Sequence, residues 1–495
     1  MINIDIKKFL ELSKKYNVIP VYGETLADLD TPLSAYLKID DPTYSFLLES
    51  IEGGEQIARY SFLGRNPYEI FSYKDGMITR QQKNKNILIK TADPFFELKK
   101  IFNNYKCAPV FGVPAFTGGA VGYISYDTIK LYEPIPHRNK IDTLKWPDIY
   151  LMFFDLFMIF DHVYHKILVV QNIFLNKSDT LKQKIEKFKK AKEKINYVIK
   201  DLKKPRNFKF NLKAKVNNIR CLTKPVDFKK SVKEIVKLIK NGEAIQVVLS
   251  QRFENDFFGD PVLIYRSLRA LNPSPYMHYL RMGDRIIIGA SPELMVRVID
   301  NHAEVRPIAG TRPRGKTNEQ DKIFEKELLS SAKERAEHIM LVDLGRNDLG
   351  KVCETGSVQV NNLMFVEKYS HVMHIVSSVI GKLIKGIDCF DTFKATFPAG
   401  TVSGAPKVRA MQIIDDFENY KRGPYAGAVG IISFTGNMET CISIRSIYYN
   451  KGKLTIQTGA GIVADSVPDF EYKETLNKAK AMFESVERCK DFNLI

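Results

Sequence analysis

A chain of 495 residues is longer than one ordinary core needs, and at about 100–200 residues per domain it implies several domains. With 44% hydrophobic and 26% charged residues it reads as a soluble globular protein. The net charge of +17 invites a nucleic-acid partner. However, residues 181–220 hold 15 Lys and Arg against 3 Asp and Glu, so 12 of the 17 charges sit in one segment, with no second basic face and no RNP-like aromatic pattern.

In chain order, "MINIDIKKFLELSKKYNVIP" places Asp5, Glu11 and paired lysines where an export signal needs an unbroken apolar run, and the expected location is the cytoplasm. Residues 1–180 are rich in aromatic and β-branched residues broken by Gly and Pro, which predicts a first lobe of strands joined by turns. Within it "IYLMFFDLFMIFD" (149–161) is too short to span a membrane and carries Asp155, so it reads as a buried strand. Residues 181–222 read as a solvated, lysine-rich helix running into Pro205 and a linker. From 223 to 495 helices alternate with strands. "DFKKSVKEIVKLIKNGE" is a helix that stops at Gly242, while "AIQVVLSQRFEN" and "RIIIGASPELMVRV" each read as a strand. Thr317 and Gln320 form a capping box for one long helix through "DKIFEKELLSSAKERAEHIMLVDLG", and Pro468 opens the last helix. Six cysteines at least 36 residues apart permit no CxxC pair and read as free thiols of a reducing compartment.

"RPIAGTRPRG" (306–315) reads as a stiff basic turn in which the Thr311 hydroxyl and backbone N–H groups near Gly310 suit an anion. Two helices repeat a carboxylate at i, i+3: Glu334 with Glu337, and Glu471 with Glu474. If these helices face each other, four carboxylates meet around one point, which is hard-cation chemistry and favours Mg²⁺. Zinc fits worse, because no second histidine has ligand spacing beside His338. "TGAGIVA" (458–464) satisfies G-x-G-x-x-A, but Ser466, Pro468 and Asp469 interrupt the helix a dinucleotide fold needs there. "GTVSG" (400–404) is out of register for a nucleophile elbow. The glycine-rich turn entering "SGAPKVRAMQII" suits a carboxylate at a helix N-terminus. His371 and His374 would share a face on a helix and point apart on a strand, and periodicity alone leaves both arrangements open.

Taken together, "AIQVVLSQRF", "LNPSPYM", "GASPE", "PIAGTRPRG", "AEHIMLVDLGRNDLG", "YSHVMHIVS", "FPAGTVSGAPKVRAM", "CISIRS" and "QTGAGIVADS" resemble the chorismate-utilising enzymes, in their anthranilate synthase component I branch, over nearly the whole chain. The resemblance implies an α+β, four-layer α/β/β/α anthranilate-synthase-type fold with antiparallel-rich sheets. A lobe at 1–180 would carry a regulatory tryptophan site, and the chorismate-binding domain would occupy 223–495. By the same resemblance Glu337 and Glu474 look like Mg²⁺ ligands with Glu334 and Glu471 beside them. Tyr425, Arg445, Gly461 and Lys478 match positions that hold the substrate carboxylates. Gln246, Gly310, Thr311, Gly459 and Ala460 fall at substrate-binding positions, and Thr401 at a catalytic one. Glu293 matches the general acid for the departing 4-hydroxyl, and His374 the base that removes the ring proton as pyruvate leaves.

Two positions separate relatives. Aminodeoxychorismate synthases of the usual type carry a covalent lysine where this chain has Ala309, and isochorismate and salicylate synthases a water-activating lysine where it has Gln246, an amide that is no base. The resemblance therefore implies conversion of chorismate and ammonia to anthranilate and pyruvate, the first committed step of tryptophan biosynthesis. An aminodeoxyisochorismate or aminodeoxychorismate synthase is the alternative. None of the six cysteines sits in a glutaminase elbow, so a separate glutamine amidotransferase subunit, component II of the same enzyme, is expected in a heterotetramer of two large and two small subunits. "LLES" (47–50) and "NPSPYM" (272–277) resemble the inhibitor motif. Glu49 or a nearby carbonyl would meet the amino group of tryptophan, Ser50 would hydrogen-bond it, and Pro275, Tyr276 and Met277 would cover the indole. Ile431 stands where many relatives carry tyrosine.

Overall fold

The computed structural model describes residues 2–489 apart from 40, 42, 51–58, 84, 111, 137, 139, 207–209, 211–214, 217–218 and 370–371. Two large sheets stack face to face. Within each, the long pairings between neighbouring strands are antiparallel. Phe46 and Phe157 from the first sheet meet Phe154 from the second at 4.8–6.2 Å between ring centres, which places one apolar core between the sheets. A second core lies outside the first sheet, where Phe9, Tyr36, Phe188 and Ile195 cover Val21, Val169 and Tyr279. On the outer face of the second sheet, Phe95, Leu98, Phe390 and Phe393 come from the helices Pro94–Asn103 and Cys389–Thr396. The result is the expected α/β/β/α stack.

Both sheets run continuously through the N-terminal and C-terminal segments. Strand Tyr44–Glu49 pairs with Tyr276–Met282, so that Glu49 lies opposite Met277. Strand Gly119–Ile124 pairs with Ala428–Ser433, so that Val121 lies opposite Ile431.

Two segments that read as single strands each divide between the sheets. Residues 149–161 form Ile149–Phe154 in the second sheet and Leu156–Asp161 in the first. The chain turns at Asp155, whose carboxylate accepts from Gln171 Nε2 at 2.8 Å and Lys194 Nζ at 3.0 Å. Likewise "RIIIGASPELMVRV" becomes Arg285–Ser291 in the first sheet and Leu294–Ile299 in the second. Pro292 has no N–H to continue a ladder, so the strand ends there and Glu293 falls at the crossing.

The long helix after 317 is also two. Asn318–Ser330 ends at Ser331, which is extended at φ −67°, ψ 110° and caps Ala332–Gly350 by accepting from Glu334 N at 3.4 Å. The capping box at 317–320 is half made: Thr317 accepts from Gln320 N, but Gln320 Oε1 accepts from Lys316 N rather than from the Thr317 backbone. The lysine-rich helix Leu181–Leu202 is solvated on one face only. Phe188, Ala191, Ile195 and Val198 are buried against the first sheet, and Thr180 and Gln183 complete a reciprocal capping box. All six cysteines are free thiols, and among the described residues no helix is long and apolar enough to cross a membrane.

Candidate active site

Strand Gln246–Phe258 lies beside Lys453–Ile462, which sets Val248, Leu249 and Ser250 opposite Gly461, Ala460 and Gly459. "TGAGI" is thus a strand and not a dinucleotide turn. Its glycines make room. A Cβ on Gly461 would stand 2.4 Å from Gln246 Nε2, and one on Gly459 would stand 3.0 Å from Tyr425 Oη. Gln246 Nε2 donates to Glu337 Oε1 at 3.3 Å. Lys478 Nζ donates to Gly459 O at 3.0 Å and pairs with Glu474 at 2.6 Å, while Arg445 Nη1 donates to Lys478 O at 2.8 Å. Burial lowers the Arg445 pKa, opposed by the nearby Tyr425 phenol and Glu474 carboxylate. The same burial pushes Tyr425 up to about 12.

Glu293, at the crossing between sheets, is 6% exposed and its Oε1 accepts from Thr401 Oγ1 at 2.9 Å. Burial pushes this carboxyl up to about 8, against the opposing pull of the Thr401 hydroxyl and the Lys478 ammonium. It is therefore a protonated acid at neutral pH. His374 lies on strand Val372–Lys382, and His371 falls outside the described residues. His374 Nδ1 is 2.9 Å from Gly310 O and 3.0 Å from Thr311 Oγ1. A carbonyl only accepts, so Nδ1 carries the proton of the neutral ring and Nε2 keeps its lone pair. Burial lowers the His374 pKa and Arg445 lowers it further, while Gly310 and Glu367 oppose them.

The segment that read as an anion-binding turn is a strand, Ile308–Pro313, paired with the His374 strand. Gly310 sits in its bulge at φ +66°, a left-handed position, and a Cβ there would approach Glu334 Oε2 to 3.0 Å. Its arginines are already matched by protein carboxylates: Arg306 by Glu367, Arg312 by Glu334 at 3.1 Å and Arg314 by Asp321 at 2.7 Å. Little of their charge is left for a ligand.

The four glutamates do not form a closed ligand shell on their own, although Glu337 lies within electrostatic reach of Glu334 and Glu474. Helix Ala332–Gly350 packs on the second sheet and helix Pro468–Glu487 on the first. Glu334 is turned to Arg312 and Glu474 to Lys478. Among the described residues no group of three or more His, Cys, Asp or Glu is close enough to hold a metal ion. Glu337 remains half-buried, with an amide as partner and with the charges of Glu334 and Glu474 in reach. Burial first and these carboxylates next raise its pKa. Glu471 is raised by burial and by Glu474. This surplus of hard, anionic oxygen suits a divalent cation that completes its shell with water and substrate oxygens.

All five residues expected at an inhibitor site line a second cavity of about 300 Å³ between the sheets, together with Phe62, Phe116, Arg297, Glu439 and Ile431. Only one of the two Glu49 oxygens remains for an amino group. Oε2 is held by the Tyr265 hydroxyl and, at 3.2 Å, by Arg269, so this oxygen is not offered to an amino group. Glu49 Oε1, Ser50 Oγ and Tyr276 Oη are buried without a hydrogen-bond partner among the described residues.

A profile of the chorismate binding enzyme family matches residues 44–484. The chain belongs to this family. It is 47% identical over 490 residues to anthranilate synthase component 1 of Aquifex aeolicus (strain VF5), covering 98% of each chain, and 44% identical over 491 residues to that of Acetivibrio thermocellus, covering 97% of each. Among solved structures it is similar to anthranilate synthase component I from Streptococcus pneumoniae TIGR4, with TM-score 0.77, 37% identity, and 92% of this chain and 98% of that one covered. The menaquinone-specific isochorismate synthase of Escherichia coli has TM-score 0.71 at 18% identity, with 97% and 99% covered, and shares the fold. One element of this chorismate binding enzyme escaped the sequence reading: the buried Arg422–Glu418 pair behind Tyr425, paired at 2.7 Å. Its i, i+4 spacing is a signal, but it lies beyond the end of helix Lys407–Phe417, where helical pairing rules do not apply.

Proposed function

We propose that this chain is the large subunit of an anthranilate synthase, a carbon–oxygen lyase that converts chorismate and ammonia to anthranilate and pyruvate at the entry to tryptophan biosynthesis in the cytoplasm. One observation carries the reading: a carboxyl kept protonated by burial, Glu293, in the same site as a neutral imidazole, His374, with no lysine at 246 or 309. Ammonia adds at the ring carbon beside the carboxylate-bearing carbon while the 4-hydroxyl departs with the Glu293 proton as water. Nε2 of His374 then takes the ring proton as the enolpyruvyl ether breaks, and the ring becomes aromatic. Arg445, Lys478 and Tyr425 hold the substrate carboxylates, with Gly459, Ala460 and Gly461 giving backbone room. Glu337 and Glu474, with Glu334 and Glu471 beside them, would hold Mg²⁺, which when bound neutralises a substrate carboxylate.

Ammonia comes from a glutamine amidotransferase subunit in a two-plus-two heterotetramer, and tryptophan binds the 300 Å³ cavity as a feedback inhibitor. The deciding assay supplies chorismate, Mg²⁺ and ammonium at a pH between neutrality and the Glu293 titration, and follows anthranilate fluorescence and pyruvate. Pyruvate-free accumulation of an amino-substituted intermediate would reassign the chain to the aminodeoxyisochorismate synthases.

A further inference from the structure

Segments carrying three candidate site residues, Gln246, Thr401 and Tyr425, meet at one guanidinium. Arg422 is 2% exposed. Its Nε and Nη2 donate to the two carboxylate oxygens of Glu418 at 2.9 and 2.7 Å. Nη1 donates to Val402 O and Nη2 to Val248 O, both at 2.7 Å. Val402 follows Thr401, the residue bonded to Glu293, and Val248 shares a strand with Gln246. The guanidinium carbon lies 5.7 Å from the ring centre of Tyr425 and 4.4 Å from that of Tyr126. Glu418 also accepts from Ser250 N and Oγ, each at 2.8 Å, which ties the pair to the Gln246 strand a second time.

A dry ion pair of this kind adds little net stability over an apolar pair of the same volume. What it supplies is geometry, because the planar fork binds two carboxylate oxygens and two carbonyls in fixed directions, which an ammonium does not do. The neighbouring cations leave the Glu418 carboxylate to Arg422; Lys140 Nζ donates to the Glu418 backbone carbonyl instead. Arg252 is engaged by Gln457, Thr143 and the Lys421 carbonyl, and Asp127 accepts from Gly423 N at 2.7 Å.

We propose that Arg422 is a positioning residue, which sets kcat through the Thr401–Glu293 hydrogen bond and chorismate affinity through the Tyr425 ring. The proposal rests on the active-site reading above. The groups facing Glu293 are the Thr401 hydroxyl and the Lys478 charge. Loosening the turn at 400–402 weakens the first and moves the acid's titration upward.

The test uses the full chain with ammonium, measuring kcat, chorismate KM and the pH profile for wild type, Thr401→Val, Arg422→Lys and the double variant. Thr401→Val lowers kcat about 10- to 100-fold with chorismate KM nearly unchanged, and Arg422→Lys lowers kcat comparably while raising KM. Both move the alkaline limb of the profile to higher pH. In the double variant kcat falls no more than about three-fold below the worse single variant, because the two changes remove one interaction. Independent, multiplying losses of kcat, or an unmoved alkaline limb in Arg422→Lys, overturn the proposal. If Arg422→Lys is recovered only unfolded, Glu418→Gln, which keeps the shape of the acceptor, is read for the same limb shift by the same criterion. A Thr401→Val enzyme with the wild-type limb would sink the active-site reading itself, and this proposal with it.

Discussion

Glu293 keeps its proton because the chain leaves one sheet and enters the other at that residue, under cover of both. The proposed mechanism needs this carboxyl protonated and His374 neutral, so the two opposite shifts define a window. Activity should rise with pH through a value below the ordinary imidazole range, as His374 loses its proton, and fall as pH climbs through about 8, as Glu293 loses its own. Glu293→Gln should lower kcat by about 10²- to 10⁴-fold and remove the alkaline limb from what activity remains. An alkaline limb that persists in this variant assigns it to another group. His374→Ala separates the steps: mass spectrometry should find an amino-substituted, pyruvyl-bearing intermediate with little free pyruvate. Normal anthranilate output from the folded variant would remove the histidine from the mechanism.

Among the elements, the break at Ser331 decides where Glu334 and Glu337 point, since it lets helix Ala332–Gly350 start afresh with its own cap. Ser331→Ala should cost about 1 kcal/mol, read as a lower urea midpoint at unchanged slope. Glu337→Gln, on the same helix, would remove a proposed hard anionic ligand at constant size. It should shift the Mg²⁺ titration of activity, and of metal-induced fluorescence change, to higher concentration. Superimposable titrations would discard the assignment. The repeat of carboxylates was legible in the sequence because helical spacing is local. That Glu334 and Glu474 are paired with protein cations was not, because the arginine and lysine that claim them depend on how strand Ile308–Pro313 and helix Pro468–Glu487 are placed. Strands were legible from composition, but the switches at Asp155 and Pro292 were hidden. Strands Ile149–Phe154 and Leu156–Asp161 are buried at every position, so neither shows the alternation that would mark which sheet it serves. Ser331 could have been found: "SAKE" is a capping signature inside an otherwise continuous helical run.

For the molecule as a whole, the 300 Å³ cavity is walled by Ser50, just past strand Tyr44–Glu49, and by Tyr276 and Met277 on the strand paired with it. A ligand there favours one arrangement of the pair, so tryptophan should raise the apparent KM for chorismate, and chorismate should weaken tryptophan binding by the same factor. Ser50→Phe fills the cavity and should abolish inhibition with uninhibited turnover largely kept. Silence in calorimetry at millimolar tryptophan would remove the inhibitor from this cavity. The purified chain should also use ammonium but not glutamine until a glutaminase partner is added. The seam that makes this communication direct has another consequence, for birth rather than regulation. Glu49 and Val121 leave the ribosome long before Met277 and Ile431, their partners across the two sheets. At about 5–20 residues per second the nascent chain carries two open strand edges for tens of seconds. During that time another nascent copy can pair with them before the chain's own later half exists. Yield in a cell should therefore depend on chaperone supply and on translation speed between these pairs more steeply than the stability of the finished protein would suggest.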